Sequence, residues 1–332
     1  MTNEVTMAHG SGGMAYRELV EEVLLPAFWN EYMQPLTDSA LCPGGERLAL
    51  TTDAYVVRPL FFPGGDIGNL AVSGTVNDLA VSGAVPRYLS SSMIIEAGFS
   101  METLKSLARS MADTARQAGV LIVTGDTKVV PAGACDGIHI ITSGVGVFPK
   151  GAYVPPQRVE PGDVVIASGP VASHGMAVMA ARGNMGFAPP IESDARPMAD
   201  VVRRVLDAGV HVHAMRDPTR GGVAATLCEW AGGNRNILLK EEALPIRPDA
   251  AAACEILGID PLCVANEGVI LFCVAEGDAD RTLAAIKPLP CCNDAAVIGE
   301  VSAGDGVVAA VTRIGTTRRI FPPYGELLPR IC

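Results

Sequence analysis

The 332-residue chain has a formal net charge of −11 and is 49% hydrophobic but only 18% charged, which is long enough for two well-cored domains and too apolar for intrinsic disorder. An acidic balance of this kind argues against nucleic acid or an anionic membrane as partner, because phosphate-rich surfaces call for cationic ones. The opening MTNEVTMAHG lacks the segments of a secretory signal, no apolar run approaches a membrane span, and nine cysteines without a C-x-x-C pair read as reduced thiols of a cytoplasmic protein.

In chain order, AHGSGG comes first, with Gly10, Gly12 and Gly13 ahead of a helical pattern. Free N–H groups there could cradle a phosphate at a helix N-terminus; a plain turn is the competing reading. Tyr16, Leu19, Val20, Val23, Leu24, Ala27 and Phe28 recur at helical spacing, with an interruption expected at Pro26. RLALTTDAYVV reads as a strand.

LAVSG then occurs at 70–74 and again at 79–83. At about 100° per residue the two copies face opposite sides of one helix, so that helix is buried all round. Asn77 and Asp78 lie between the copies, and a buried carboxylate needs a cation or a dense set of donors, or else an arginine or a helix N-terminus. A second helix runs from Met101 to about Ala115, with Ser100 as N-cap and Gly119 just past its end. VLIVTGD and IHIITSGVGVF follow as buried strands.

The Pro/Gly-rich stretch 148–163 marks a domain boundary. Beyond it, PGDVVIASGP opens a second domain with helices near 197–209 and 221–231 and strands at VILFCVA, AAVIGEV and GVVAAV. RDPTRGGVAA, holding Asp217, Gly221 and Gly222, repeats the glycine-before-helix arrangement. His211 and His213 alternate without a third ligand at zinc spacing, and Cys291–Cys292 reads as an incidental turn. The sequence ends on FPPYGELLPRIC, whose prolines exclude helix and sheet interior. An extended arm from Thr317 could reach about 50 Å. Cys332 is then either a thiol on an arm that visits other sites or the end of a frayed terminus.

Three aspartates share a setting at the end of an apolar strand or inside a buried helix: Asp53, Asp78 and Asp126, the last followed by Thr127. Converging carboxylates repel unless a divalent ion sits among them, and an all-oxygen set favours Mg2+, which commonly bridges to nucleotide phosphates. Neither a Walker A loop nor a dinucleotide fingerprint is present. Lys128 shares a strand face with Asp126 if that strand continues, and Glu267 in CVANEGVILF stands at the mouth of a buried strand. The two are candidates for proton removal, or for an ion pair with each other.

TTDAYVV, NDLAVSGAVP, GDTKVV, DPTRGG and NEG, in that order, resemble the ATP-binding superfamily of aminoimidazole ribonucleotide (AIR) synthetase and selenophosphate synthetase. AHGSGG and the final PRIC narrow the resemblance to the carbamoyl dehydratases of [NiFe]-hydrogenase maturation. The resemblance implies an α+β chain of two mixed α/β PurM-like (AIR synthetase-like) domains: 1–150 for ATP binding and dimerisation, 151–316 as the second domain, and 317–332 as a mobile tail. It implies ATP and Mg2+, with Mg2+ on Asp53, Asp78 and Asp126, and nucleotide contacts from Gly10, Gly12, Gly13, Asn77, Thr127, Asp217, Gly221 and Gly222. In the implied reaction Cys332 receives a carbamoyl group from the carbamoyltransferase HypF. Its S-carboxamide is dehydrated to S-cyano, with Lys128 and Glu267 near the sulfur, and the cyano group passes to iron on a HypC–HypD complex. A homodimer through paired N-terminal sheets is implied as well. The rivals are a selenophosphate synthetase-like enzyme, whose essential cysteine lies near the N-terminus whereas the first here is Cys42, and a non-catalytic scaffold.

Overall fold

The computed structural model describes residues 4–10, 18–31, 43–152, 155, 158–323, 328 and 331–332. Gly12, Gly13 and Cys42 lie outside the described residues; Gly10 closes a short 3-10 turn, Met7–Gly10. The first helical pattern appears as a π turn, Val20–Leu24, followed by α1 (Leu25–Phe28). Pro26 follows the π turn within one continuous helical run, so the irregular turn sits where the proline was expected to interrupt the pattern.

The N-terminal half is built from β1 (Leu48–Tyr55), the small hairpin β2 (Phe61–Phe62) and β3 (Gly65–Asp66), α2 (Ile67–Val81), β4 (Val85–Glu96), α3 (Met101–Ala118), β5 (Leu121–Val130) and β6 (Ile138–Val147). Its four-stranded sheet has the order β1-β6-β4-β5, antiparallel except for the β4–β5 pair, which α3 connects as a crossover. Ser100 caps α3 by accepting from Thr103 N at 3.3 Å, and Gly119 ends it with φ +68°. The repeat-bearing α2 is buried at all of its positions except Asn69 and Asp78. Asp66 starts that helix by accepting from the N–H groups of Gly68 and Asn69 at 2.7 and 2.9 Å.

The second half comprises β7 (Asp163–Ala167), α4 (Ser173–Gly183), α5 (Ala199–Asp207), β8 (Val212–Arg216), α6 (Gly222–Ala231), β9 (Arg235–Lys240), α7 (Pro248–Leu257), β10 (Leu271–Ala275), α8 (Ala279–Ile286), β11 (Ala296–Ala303), β12 (Val308–Val311) and β13 (Thr317–Arg319). The seven-stranded order is β13-β12-β9-β11-β7-β10-β8, with β12–β9 the parallel pair. The two halves share cores. Ala80 and Val81 of α2 pack with Val201 and Val205 of α5 and with Phe272, while Ile331 joins the N-terminal core together with Val178 and Ala265.

Two boundaries differ from the sequence reading. Asp126 is not at a strand end, because β5 runs on through Lys128 to Val130. The tail does not leave the fold at 317: β13 pairs with β12, and Ile320 N donates to Val308 O at 2.8 Å, so the last sheet residue lies near 320. None of the helices is long and apolar enough to cross a membrane among the described residues.

Candidate active site

A cavity of about 450 Å³ opens between the halves, and its wall includes Asp53, Asp78, Asp217, Glu267 and Cys332. Each arrives by a different route. Asp53 and Tyr55 project from β1 toward α2, and Tyr55 donates to Asp53 Oδ2 at 3.3 Å. Tyr55 fits only because α2 carries no side chain at Gly74, where an added Cβ would lie 2.2 Å from the Tyr55 hydroxyl. Asp78 is the break in the buried surface of α2 that faces this space, and Thr51 donates to its Oδ2 at 2.8 Å. Asp217 follows β8, and the loop after it turns at Gly221 (φ +79°) and Gly222 (φ +61°) into α6. A Cβ on Gly222 would lie 2.5 Å from Leu262 O, so the loop closes tightly against the neighbouring segment.

Glu267 is fixed through its backbone. Asp194 Oδ2 accepts from the N–H groups of Glu267 and Gly268 at 3.3 and 3.0 Å, and Asn77 Nδ2 donates to Glu267 O at 3.2 Å and Arg196 O at 3.1 Å. Asn77 Oδ1 accepts from Met198 N at 2.7 Å. Asn77 therefore welds α2 to the second half rather than facing the cavity.

The chain returns to the cavity at its last residues. Ile331 is buried, Val56 N donates to Cys332 O at 3.3 Å, and Cys332 lines the same cavity as Glu267. Of the tail expected to be mobile, the described residues Leu328, Ile331 and Cys332 pack inward.

The gathered carboxylates raise one another's proton affinity. Burial first, then Asp78, pushes Asp53 up to about 6; burial and then Asp78 push Asp217 up to about 7. Glu267 is held well above the usual carboxylate range by burial, then by Asp217 and Asp194. Burial and the Glu267 charge push the Cys332 thiol up to about 12. So much negative potential in one space fits a divalent cation and phosphates with their counter-ions.

The expected Asp53–Asp78–Asp126 trio does not form within the chain. Asp126 pairs across the sheet with Ser92, Ser92 with Ile141, and Ile141 with Ala54. Asp126 thus shares a face with exposed Ala54, opposite to Asp53, and stands three strands away, about 14 Å at normal strand spacing. There it forms an exposed ion pair with Lys128, Nζ to Oδ2 3.1 Å. Thr127, between them, faces inward and is buried. The carboxylate that joins Asp53 and Asp78 in the cavity is Asp217. Among the described residues no three carboxylate, histidine or cysteine side chains stand ready-made as a metal-holding group. His213 and His211 bond Asp163 (2.8 Å) and Asp278 (3.1 Å) respectively, and the Cys291 and Cys292 thiols share a hydrogen bond at 3.6 Å rather than a disulfide.

Sequence reasoning passed over Tyr55, Thr51, Asp194, Arg220 and His174. Thr51, Tyr55 and Arg220 stood inside quoted motifs; nothing in the sequence marks Asp194 or His174, whose roles arise from packing.

The chain matches the family models "AIR synthase related protein, N-terminal domain" over residues 36–148 and "AIR synthase related protein, C-terminal domain" over 160–312. It is 48% identical to carbamoyl dehydratase HypE of Rhizobium leguminosarum bv. viciae, over 99% of this chain and 95% of that protein. A crystal structure of hydrogenase maturation protein HypE in complex with ATP superposes with a TM-score of 0.93 at 41% identity, covering 98% of this chain and 99% of the other. HypE in a HypE–HypF complex gives 0.80 at 45%, over 92% and 99%.

Proposed function

We propose, for a chain that belongs to the HypE carbamoyl dehydratase family of AIR synthase-related proteins, that Cys332 carries the group which the cavity dehydrates. The observation behind this is the position of Cys332: the last residue of the chain lies in the same cavity as Asp53, Asp78, Asp217 and Glu267. The reaction converts R–S–C(=O)–NH2 and ATP to R–S–C≡N, ADP and phosphate. An amide oxygen is a poor leaving group, and accepting the γ-phosphoryl turns it into one that departs with its bonding electrons. The two amide protons leave, and the carbon keeps its nitrogen. In this reading Glu267 takes one of those protons; supporting it, Glu267 lines the same space and burial raises its proton affinity.

ATP is the nucleotide; the glycine-bounded loop before α6 is the phosphate cradle this chain offers among its described residues, together with Gly10 at the close of its N-terminal turn. Mg2+ would be held by Asp53 and Asp78, with Asp217 beside them, and would neutralise charge on the transferring phosphoryl group.

Asp126 and Lys128 enter this reading through a second copy. The face that bears them also exposes Leu48 (47%) and Leu50 (76%) on β1, and an open, partly apolar sheet face suits a homodimer through paired N-terminal sheets. The domain division at 150 and near 317–320, a HypF carbamoyltransferase as the source of the carbamoyl group and a HypC–HypD complex as acceptor of the cyano group complete the proposal, with the cytoplasm as its setting. A selenophosphate synthetase-like or scaffold role gains nothing from a thiol inside this cavity.

The test is stoichiometry. Carbamoyl-loaded protein mixed with Mg2+–ATP releases one phosphate per loaded Cys332, and unloaded protein releases none. Phosphate release at the same rate from unloaded protein would count against a cysteine-borne substrate. Mixing Lys128→Ala with Glu267→Gln subunits tests the dimer: regained turnover in the mixture supports Lys128 acting across copies, and none argues that both act within one chain.

A further inference from the structure

His174 begins α4, deep in the second half, and is fully buried. Its Nε2 lies 3.0 Å from the carbonyl oxygen of Ile331, the residue before Cys332, and its Nδ1 lies 2.8 Å from Ser193 Oγ. The hydrogen-bond directions follow from the partners. A carbonyl can only accept, so Nε2 carries the hydrogen and Nδ1 accepts from the Ser193 hydroxyl. Ser193 is itself held: its Oγ accepts from Ala195 N at 3.0 Å, and its N donates to Pro63 O at 2.8 Å. Phe62 packs against the imidazole edge-on, ring centroids 5.5 Å apart. The ring therefore has one orientation, held by Ser193 and Phe62 outside the tail, and one tautomer, fixed by the Ile331 carbonyl.

The surroundings are built for an incoming segment. Ala172, just before α4, adopts φ +71°, a left-handed conformation that non-glycine residues seldom take, and Asn266 Oδ1 accepts from its N–H at 2.7 Å. At Gly175 an added Cβ would lie 3.2 Å from Leu328 and 2.5 Å from Val264. The start of α4 is thus kept bare where the tail passes. Leu328, Ile331 and Cys332 all pack into the N-terminal core cluster.

We propose that His174 is the latch of the tail: a preorganised donor, aimed by Ser193, that captures the Ile331 carbonyl and so commits the adjacent Cys332 thiol to the cavity. His174 touches no reacting atom and is a positioning residue. A tail that leaves exposes a buried ring N–H without its acceptor, so the latch biases the chain toward the inward state while remaining a single, breakable hydrogen bond. That balance suits a thiol that must be loaded elsewhere and processed here; this consequence rests on Cys332 being the carrier, whereas the latch itself rests on geometry alone.

Alkylation of the full-length protein by iodoacetamide, read as the mass of the Cys332 peptide, tests it without any turnover. Only the released tail reacts, because the docked thiol is protonated by burial and by Glu267. His174→Ala should speed Cys332 labelling roughly three- to tenfold, the loss of one hydrogen bond. His174→Gln, whose amide can donate from the same place, should restore most of the protection. Buried Cys273 and Cys292 should stay protected in both variants. An unchanged Cys332 rate in His174→Ala, no rescue by glutamine, or Cys273 and Cys292 opening in step with Cys332 would assign His174 to the core and overturn the latch. Faster Cys332 labelling in His174→Ala, rescued by glutamine, in a parent protein that releases no phosphate after carbamoyl loading would instead support the latch and count against the carrier reading.

Discussion

Glu267 and Cys332 line one cavity, and the Glu267 carboxylate is, after burial, the main reason the Cys332 thiol holds its proton so firmly. A free thiol docked here is therefore a weak nucleophile, which protects it from stray chemistry, and the carbamoylated sulfur has no proton to lose. Cys332→Ala should keep its Tm within about 3 °C of the parent, since one half-buried side chain is truncated. It should nevertheless support no hydrogenase maturation in cells, because the lost atom is substrate. Wild-type maturation by this variant would remove Cys332 from the reaction.

Asp53→Asn and Asp78→Asn should each reduce the rise in Tm that Mg2+–ATP induces, while the Tm of the ligand-free protein holds or increases. Each change removes a negative charge from a crowded space, so the metal loses a ligand and the empty site loses repulsion. Asp126→Asn should reduce the shift only in protein that dimerises, given its place on the outer sheet face. Thermal melts with and without Mg2+–ATP, paired with sedimentation, decide the matter. A full ligand-induced shift in both cavity variants would show that neither aspartate holds the metal.

Gly74→Ala should destabilise the chain by about 1–3 kcal/mol, the usual cost of overpacking. The new methyl would overlap the Tyr55 hydroxyl, and Tyr55 is the donor to Asp53. Urea midpoints measure the effect. Tyr55→Phe in the same background should recover part of the loss by clearing the oxygen from the clash, and no recovery would place the strain elsewhere.

Buried His174 makes stability pH-dependent in a defined window. Burial lowers its pKa from 6.5 to about 4, opposed only by its bond to the Ile331 carbonyl. Between those values the unfolded chain binds a proton that the folded chain refuses, so stability falls as pH drops from about 6.5 toward 4. The slope is at most about 1.4 kcal/mol per pH unit. His174→Gln should flatten that slope relative to the parent in urea melts at pH 4.5, 5.5 and 7. Parallel curves for the two proteins would mean His174 titrates normally.

Much of the fold was legible because its signals are local. The doubled LAVSG predicted a helix buried on all sides, and α2 is one; Ser100 and Gly119 bracket α3 as cap residues should. β4, the strand between β6 and β5, escaped notice because Ser90, Ser91 and Ser92 interrupt its apolar alternation, and its pairing, not its composition, makes it a strand. Asp53 and Asp78 line one cavity, whereas Asp126 shares with them only a resemblance of sequence setting. The strand runs four residues past Asp126, and its pairing through Ser92 and Ile141 to Ala54 puts Asp126 on the face opposite Asp53; period-two alternation gives no hint of which face is covered. Asp217 could be placed only once the two halves were docked. His174 illustrates the same limit: its two partners are Ser193 and Ile331, distant in sequence and joined only by the fold.

The mass of the C-terminal peptide tests the central claim most directly. Protein loaded by a carbamoyltransferase should carry a carbamoyl adduct on Cys332, and treatment with Mg2+–ATP should then remove about 18 Da, one water, from that peptide. Glu267→Gln should retain the adduct and stall before the loss, because a neutral amide accepts no proton at this step. An adduct that loses water without ATP, or that sits on Cys291 or Cys292 instead, would contradict the assignment of Cys332 as the group this cavity processes.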